Sequence, residues 1–477
     1  MDWSFLQVRQ VRRWLGSRDR EDWALAAVVL AAGLFRVVYV VVQSGDFVGG
    51  DGDGYYISAL ALVDGHGFVS GFMLPFTLDP SVSASADHPP AWTTLLAGPA
   101  LLGFQNKVYF QVFAALIGTA TVAAVGLTGR RIAGRRVGLI AAAIAAVYPN
   151  LWMYERLLQC ETLAILLGTL CIYTAYGFWQ RPSLRGAAAM GLFIGLLTMT
   201  RPESGLLLGL LALPAIALQR TVPLASRLRW FAVAVGVVVL QILPWAAYNT
   251  ARFDEPVILT TNLGQTLVAA NCDPAYYDER FLGFWSFECL GDATGEVADE
   301  GDASSRDVAL QEMAFDYMSE HRGRLPVVIL AREGRTWGFY QPSFQLKFDS
   351  LGGPTTTVSR PGLYMYWGLS LLAIAGAVVL RQRKVPLFPQ LAFVALVAIA
   401  AGMSIGQTRY RALAEVALVL LAAVALDAAL QEIRRRRHRE GHGGDDGDTD
   451  TAEADVAPAA AERGVESAAA GEALAKA

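Results

Sequence analysis

Again and again this chain runs for about the length of a bilayer-crossing helix, roughly 20 residues, with almost no charge. The stretches are Trp23–Val42, Val108–Leu127, Val137–Met153, Thr162–Trp179, Gly186–Met199, Gly205–Leu218, Phe231–Tyr248, Leu363–Leu380, Phe388–Met403 and Ala412–Leu430. They predict a polytopic α-helical membrane protein with about ten transmembrane helices. Composition leads to the same place: 54% of the 477 residues are hydrophobic and 17% charged. That is too little polar surface for a water-soluble fold. The stretch Ala91–Phe104 is apolar as well, but counting it as a span would carry Arg130 to Arg136 across the membrane, so it reads as an interfacial or re-entrant helix.

The net charge of −4 matters less than where the charges fall. Arg9 to Arg20, Arg130 to Arg136, Arg181 with Arg185, Arg220 to Arg229, Arg381 to Lys384 and Arg434 to Arg439 lie on alternate sides of ten helices. Basic flanks stay cytoplasmic, which predicts a multi-pass cell-membrane protein with both termini inside. The first helix is too long for a signal peptide and lacks a cleavage motif before Ser44, so it is expected to remain. The expected layout is a cytoplasmic N-terminus (1–22), seven helices with an extracytoplasmic loop at 44–107 (23–250), an extracytoplasmic domain (251–360), three further helices (361–433) and a disordered cytoplasmic tail (434–477). In the large loop, Val257–Thr261 and Gln265–Ala269 read as strands and Val308–Met318 as a helix, a small mixed α/β domain. Cys272 and Cys289 share that loop, whose compartment permits oxidation, and a disulfide between them is expected.

Chemistry-bearing residues gather near the outer ends of the helices. Gly49 to Tyr56 places Asp51 and Asp53 on what reads as a flexible, glycine-rich turn. A carboxylate there could accept a proton from an incoming hydroxyl or hold a divalent cation, although Asp and Gly also build plain solvated turns. Asp87 and His88 precede two prolines that stiffen the loop, and alone would read as a helix cap and a surface residue. Arg36 and Arg201 lie within apolar segments, where a charge needs a cavity or a partner. For Arg201 that partner could be Glu203 or Glu161. Arg409 and Arg411 form a further basic cluster, suited to phosphate or to lipid headgroups.

In this order the segments resemble the GT-C membrane glycosyltransferases, particularly the branch of protein O-mannosyltransferases and aminoarabinose transferases. The resemblance rests on Asp51 to Tyr56, Gly65 to Phe68, His88 Pro89 Pro90, Tyr148 Pro149, Glu155, Glu161 Thr162 Leu163, Thr200 to Glu203, Leu243 Pro244 Trp245, Thr260 to Asn262 and Arg409 to Arg411. Departures are Asp51 Gly52 Asp53 in place of an Asp-Glu pair, Cys160 in place of a serine, and Tyr248 where an arginine often precedes Asn249. The resemblance implies a GT-C-like bundle and transfer of a hexosyl or pentosyl group, with inversion, from a polyprenyl-phosphate donor to an extracytoplasmic hydroxyl. Asp51 would be the base with Asp53 second. Arg201, Arg409 and Arg411 would bind the donor phosphate, and Tyr55, Tyr56, Asp87 and His88 would support the loop. No nucleotide site is needed, a divalent cation stays open as a cofactor, and no nucleic acid is implied. Two other classes remain at this point, a lipid-linked sugar transporter and a non-catalytic scaffold; polar residues concentrated at outer helix ends favour surface chemistry.

Overall fold

A computed structural model describes residues 20–44, 50–70, 84–350, 353 and 355–442. In chain order its helices are α1 (Arg20–Val42), α2 (Asp51–Val63), α3 (Pro90–Leu101), α4 (Lys107–Ala133), α5 (Arg135–Val147), α6 (Pro149–Arg156), α7 (Glu161–Gln180), α8 (Leu184–Thr198), α9 (Leu213–Ala217) and α10 (Leu224–Thr250). Then follow α11 (Leu263–Ala270), α12 (Asp273–Tyr277), α13 (Phe287–Glu296), α14 (Ala303–Glu320), α15 (Leu325–Thr336), α16 (Pro342–Asp349), α17 (Thr356–Gln382), α18 (Phe388–Met403) and α19 (Ala412–His442). The chain divides into two units, 1–429 and 430–477; in the second, the described residues are the end of α19.

All ten apolar stretches are helical, but among the described residues six helices are long and apolar enough to cross a membrane: α1, α4, α7, α10, α17 and α19 with its lead-in turn. Counting the pair α5 and α6, bent by 47°, gives seven. The shortfall has a local cause. Pro202 and Pro214 each remove a backbone donor, and the segment between α8 and α10 breaks into a 3₁₀ turn (Pro202–Leu206), a π turn (Leu208–Ala212) and α9. The 16 residues of α18 rise only about 24 Å, short of the roughly 30 Å hydrocarbon core. The 12-residue α3 is shorter still.

Apolar faces sort by neighbour. On α1 and α10, Leu30, Leu34, Leu240 and Leu243 are exposed, as a lipid-facing surface requires, whereas Val416, Val419, Leu420 and Val424 of α19 are buried on all sides. Close helix contact depends on missing side chains. A Cβ on Gly138 would lie 2.5 Å from the Gly126 carbonyl oxygen, and one on Gly376 would lie 1.9 Å from that of Leu421. Arg36 is fully buried: its guanidinium pairs with Glu155 and donates to the Ala145 carbonyl oxygen at 3.0 Å. It therefore ties α1 to α5 and α6 and lines no polar pocket.

The region between α10 and α17 differs from the expected mixed domain. Its described residues hold no strand: Gln265–Ala269 lies inside α11, and Val257–Thr261 is irregular. Spacing explains the miss. Gly264, Leu267 and Val268 share one helical face and are buried, and the Gly264 N–H donates to Asp307 Oδ1 of α14 at 2.6 Å. Among the described residues the chain's one recorded β pairing is the isolated Val69–Ala84 bridge. Likewise Arg434 to Arg437, expected to begin an unordered tail, continue α19, with Glu432 and Arg436 paired at 3.0 Å across one turn; residues 443–477 lie outside those described.

Cys272 and Cys289 are joined by a disulfide across 17 residues, pinning α13 beside α12. Replacing both by serine should cost about 3 kcal/mol. Chemical denaturation of the region between α10 and α17, followed by hydrogen exchange in α11 to α14, measures it; an unchanged midpoint sinks the idea. Arg332 fastens this region to α18, donating to the Ala270 and Gly402 carbonyl oxygens at 2.7 and 3.0 Å.

Candidate active site

The expected flexible turn at Asp51 is instead the first turn of a helix. Gly50, at φ 55°, reverses the chain into α2, and Asp51 takes its first position, where the helix dipole favours a negative charge. The helix separates the two carboxylates. Residues two apart on a helix point about 200° apart, so Asp51 and Asp53 cannot share a partner. Asp51 Oδ2 accepts from Arg409 Nη2 at 2.7 Å, while Asp53 Oδ1 accepts from Lys107 Nζ at 2.6 Å on the opposite face.

From Asp51 a chain of alternating charges runs across four segments. Arg409 stands on the 3₁₀ turn Thr408–Arg411 that leads into α19, and its Nε lies 3.2 Å from Glu161 Oε1 at the start of α7. The same oxygen accepts from Arg201 Nη1 at 2.7 Å, and Arg201 Nε donates to Glu203 at 2.6 Å. Glu161 is fully buried; Asp51 and Arg409 keep 27% and 30% of their side-chain surface accessible, which leaves this end open to a ligand. The Tyr410 ring lies 4.9 Å from the Arg201 guanidinium. Tyr55, one turn beyond Asp51, packs its ring 4.6 Å from His88, which Pro89 and Pro90 hold at the head of α3. Burial by itself would raise the Asp51 pKa; Arg409, then His88 and Arg201, outweigh it and hold the carboxyl at about 2.

Not every expected site residue joins this centre. Arg411 points the other way, with Nε donating to Glu415 at 2.6 Å, Nη1 to the Thr336 carbonyl oxygen at 2.9 Å, and its guanidinium stacked 3.5 Å from the Tyr366 ring centre. Two residues along a tight turn reverse the direction of a side chain, so Arg409 and Arg411 cannot hold one phosphate. Tyr56 is a support on the Asp53 side: its hydroxyl donates to the Gln105 carbonyl oxygen at 2.7 Å and Lys107 stands over its ring. Asp87 and His88 line a small recess with Tyr55, Ser58, Ser85 and Thr93 beside Asp51's helix. Arg252 braces that loop through the Phe68 and Ser85 carbonyl oxygens, both at 2.7 Å. Lys107 and Arg252 were not singled out from sequence, because a basic residue at a helix end ordinarily reads as a membrane flank, and Glu415 was not singled out either. Glu161 was foreseen as part of a motif and as a partner of Arg201, not as a link to Arg409. Among the described residues, no three His, Cys, Asp or Glu side chains are grouped to hold a metal ion.

Residues 87–248 match the family model described as dolichyl-phosphate-mannose-protein mannosyltransferase. No curated protein matches the chain in sequence. Among solved structures, the crystal structure of the Archaeoglobus fulgidus oligosaccharyltransferase in the apo form aligns with a TM-score of 0.54 at 15% identity, over 89% of this chain and 52% of that one. The archaeal oligosaccharyltransferase AglB from the same organism, in complex with an inhibitory peptide and a dolichol-phosphate, aligns with a TM-score of 0.52 at 18% identity, over 90% and 53%. ArnT from Cupriavidus metallidurans bound to undecaprenyl phosphate gives 0.43 at 14% identity, over 87% and 80%, a likeness too low to carry weight. The chain is thus a multi-pass membrane protein with the fold of the GT-C glycosyltransferases. Within that fold, residues 87–248 carry the sequence signature of the dolichyl-phosphate-mannose-protein mannosyltransferases, and the chain spans about half the length of the oligosaccharyltransferases it resembles.

Arg201 stands between two carboxylates at a buried position, so Arg201→Gln should destabilise the fold by roughly 3 kcal/mol, most of it the cost of leaving Glu161 undercompensated. Thermal unfolding in detergent reads this, and adding Glu161→Gln should recover part of the loss; a double variant as unstable as the sum of the singles contradicts the coupling.

Proposed function

We propose that this protein transfers a sugar from a polyprenyl-phosphate donor to a hydroxyl group on the extracytoplasmic face of the cell membrane. The observation that carries the reading is the Asp51–Arg409–Glu161–Arg201 charge chain at one end of the apolar helices. A departing phosphate monoester needs fixed cations, and the accessible Arg409 with Arg201 behind it supplies them; an incoming hydroxyl needs a base, and Asp51 stands beside them. Asp51 takes the hydroxyl proton, the oxygen bonds to the anomeric carbon from the face opposite the phosphate, and the carbon–oxygen bond to phosphate breaks with its electron pair on the leaving polyprenyl phosphate. Such direct displacement inverts the anomeric centre. Asp53 and Lys107 fix the orientation of α2. Charges gathered at one end of the spans favour chemistry at the surface over a path through the bundle. Incubating the purified chain with radiolabelled undecaprenyl-phosphate sugars and a cell-envelope extract tests the reading: label should move to an envelope glycan, lipid or protein, and a chain that releases or moves no sugar from any of them sinks it.

Orientation follows from the basic ends. Arg130, Arg131, Arg181 and Arg185 lie at the helix ends away from Asp51, which supports a charge chain on the extracytoplasmic side and cytoplasmic termini. Single cysteines at Ser70 and Ala298 should react with an impermeant maleimide on intact cells, and cysteines at Ser183 and Ser226 should not. The native thiols leave a quiet background, Cys160 and Cys171 being buried. Labelling of Ser183→Cys from outside would overturn this orientation.

A further inference from the structure

Arg409, the accessible cation of the charge chain, stands on a stretch with little regular structure of its own. Residues 404–407 are irregular and Thr408–Arg411 is a single 3₁₀ turn. Such a connection moves unless the rest of the fold holds it, and a moving arginine gives up conformational freedom each time it binds an anion. Here three holds succeed one another along the connection, and all three come from the region between α10 and α17. The Gly406 N–H donates to the Gly283 carbonyl oxygen at 3.0 Å, in so little room that a Cβ on Gly406 would lie 2.6 Å from the Arg332 Cα. The Thr408 hydroxyl donates to Asp349 Oδ2 at 2.9 Å. Gln345 Nε2 donates to the other carboxyl oxygen, also at 2.9 Å, which fixes that carboxylate from within α16. Arg411 Nη1 supplies the third hold, on the Thr336 carbonyl oxygen at the end of α15.

The two arginines of the turn divide the work. Arg411 is 2% exposed and its charge is matched by Glu415, which also accepts from Asn150 Nδ2 at 3.0 Å, so it holds the turn and has nothing left for an incoming anion. Arg409 lies between the holds at Thr408 and Arg411, which fix its backbone and deliver its guanidinium to Asp51 and Glu161. We propose that Thr408 and Asp349 are positioning residues that aim Arg409 into the charge chain, so that the region between α10 and α17 sets the geometry of the phosphate-binding cation. A cation fixed beforehand meets the leaving phosphate without the cost of ordering it. The Thr408–Asp349 bond is the hold that one mild substitution opens, since Gly406 acts through its backbone and removing Arg411 strands a buried Glu415. That Arg409 meets a phosphate rests on the glycosyl-transfer reading; that its turn is held from α16 does not.

The test uses the full chain in lipid nanodiscs, with undecaprenyl phosphate as the probe. Thr408→Val keeps the shape of the side chain and withdraws the donor from Asp349, whereas Thr408→Ser keeps the donor. In Thr408→Val the amides of residues 407–412 should exchange hydrogen about tenfold faster than in the wild type, with α4 and α7 unchanged, and Thr408→Ser should restore the slow rate. Unchanged exchange at 407–412 overturns the hold. Affinity for undecaprenyl phosphate should fall about tenfold in Thr408→Val and return in Thr408→Ser. The same substitution made in Arg409→Gln should change that affinity less than twofold, because a residue that acts through Arg409 has nothing left to aim. An equal loss in both backgrounds, or no loss in the wild type, overturns the positioning role. If Thr408→Val also loosens α4 and α7, Asp349→Asn takes its place, since its one remaining oxygen cannot accept from both Gln345 and Thr408 in the same way. Failure of undecaprenyl phosphate to bind the wild type overturns the donor reading instead, and hydrogen exchange still decides whether the turn is held.

Discussion

Asp51→Asn should abolish sugar transfer, lowering turnover by about a hundredfold or more while the protein still folds and inserts. The substitution keeps the size of the side chain, its place at the first position of α2 and an oxygen to accept from Arg409 Nη2. It removes the charge and with it the ability to take a proton. The stability cost should be within about 1 kcal/mol, because the pair is more than a quarter exposed and Arg409 keeps Glu161 as a counter-charge. Asp53→Asn separates the roles: it disturbs the Lys107 pair on the far face from Arg409, and turnover should stay within a few-fold of the wild type. Radiolabelled transfer from the donor, with lipid binding measured in parallel, makes the comparison. A dispensable Asp51 beside an essential Asp53 would show that α2 turns its other face to the acceptor during the reaction, and full activity in the double Asn variant removes both carboxylates from the chemistry.

The helices were legible in the sequence because lipid leaves the backbone few alternatives: Trp23–Val42 and Phe231–Tyr248 carry no competing signal, and α1 and α10 enclose them. Shorter periods were less decisive. Gln265–Ala269 holds Thr and Val, which suit a strand, yet burial of Gly264, Leu267 and Val268 against α14 selects a helix. At the site, the order of motifs named all four residues that meet, Asp51, Glu161, Arg201 and Arg409. Glu161, 110 residues from Asp51, carried no role there beyond pairing with Arg201. What the sequence lacked was direction. Arg409 and Arg411 look equivalent in Arg-Tyr-Arg, and a tight turn sends one to Asp51 and the other to Glu415. Asp51 and Asp53 look interchangeable in a glycine-rich run until the helix separates them.

Arg409→Gln should impair the protein twice, and the two losses have different pH signatures. The first is donor binding: a charge-assisted contact to phosphate at a partly enclosed site is lost, and affinity for undecaprenyl phosphate should fall about a hundredfold. The second concerns the base. In the wild type Asp51 is held at about 2, below its ordinary value, so its charge favours the folded state above the ordinary carboxylate range and that contribution disappears as the pH falls toward 2. Across pH 5 to 8 the carboxylate is therefore fully ionised, and Asp51 gives the free protein's kcat/KM no acidic limb. Removing Arg409 takes away the strongest cation acting on it and leaves burial, which pushes the other way; His88 and Arg201 offset it only in part. An acidic limb should then appear above about pH 4, absent in the wild type and absent in Arg201→Gln, where Arg409 still stands beside Asp51. Transfer rates at subsaturating donor, measured from pH 4 to 8 in all three proteins, decide it. A flat profile in Arg409→Gln would mean that Asp51 does not titrate as the base, and unchanged undecaprenyl phosphate affinity would move the phosphate from Arg409 to Arg201 alone.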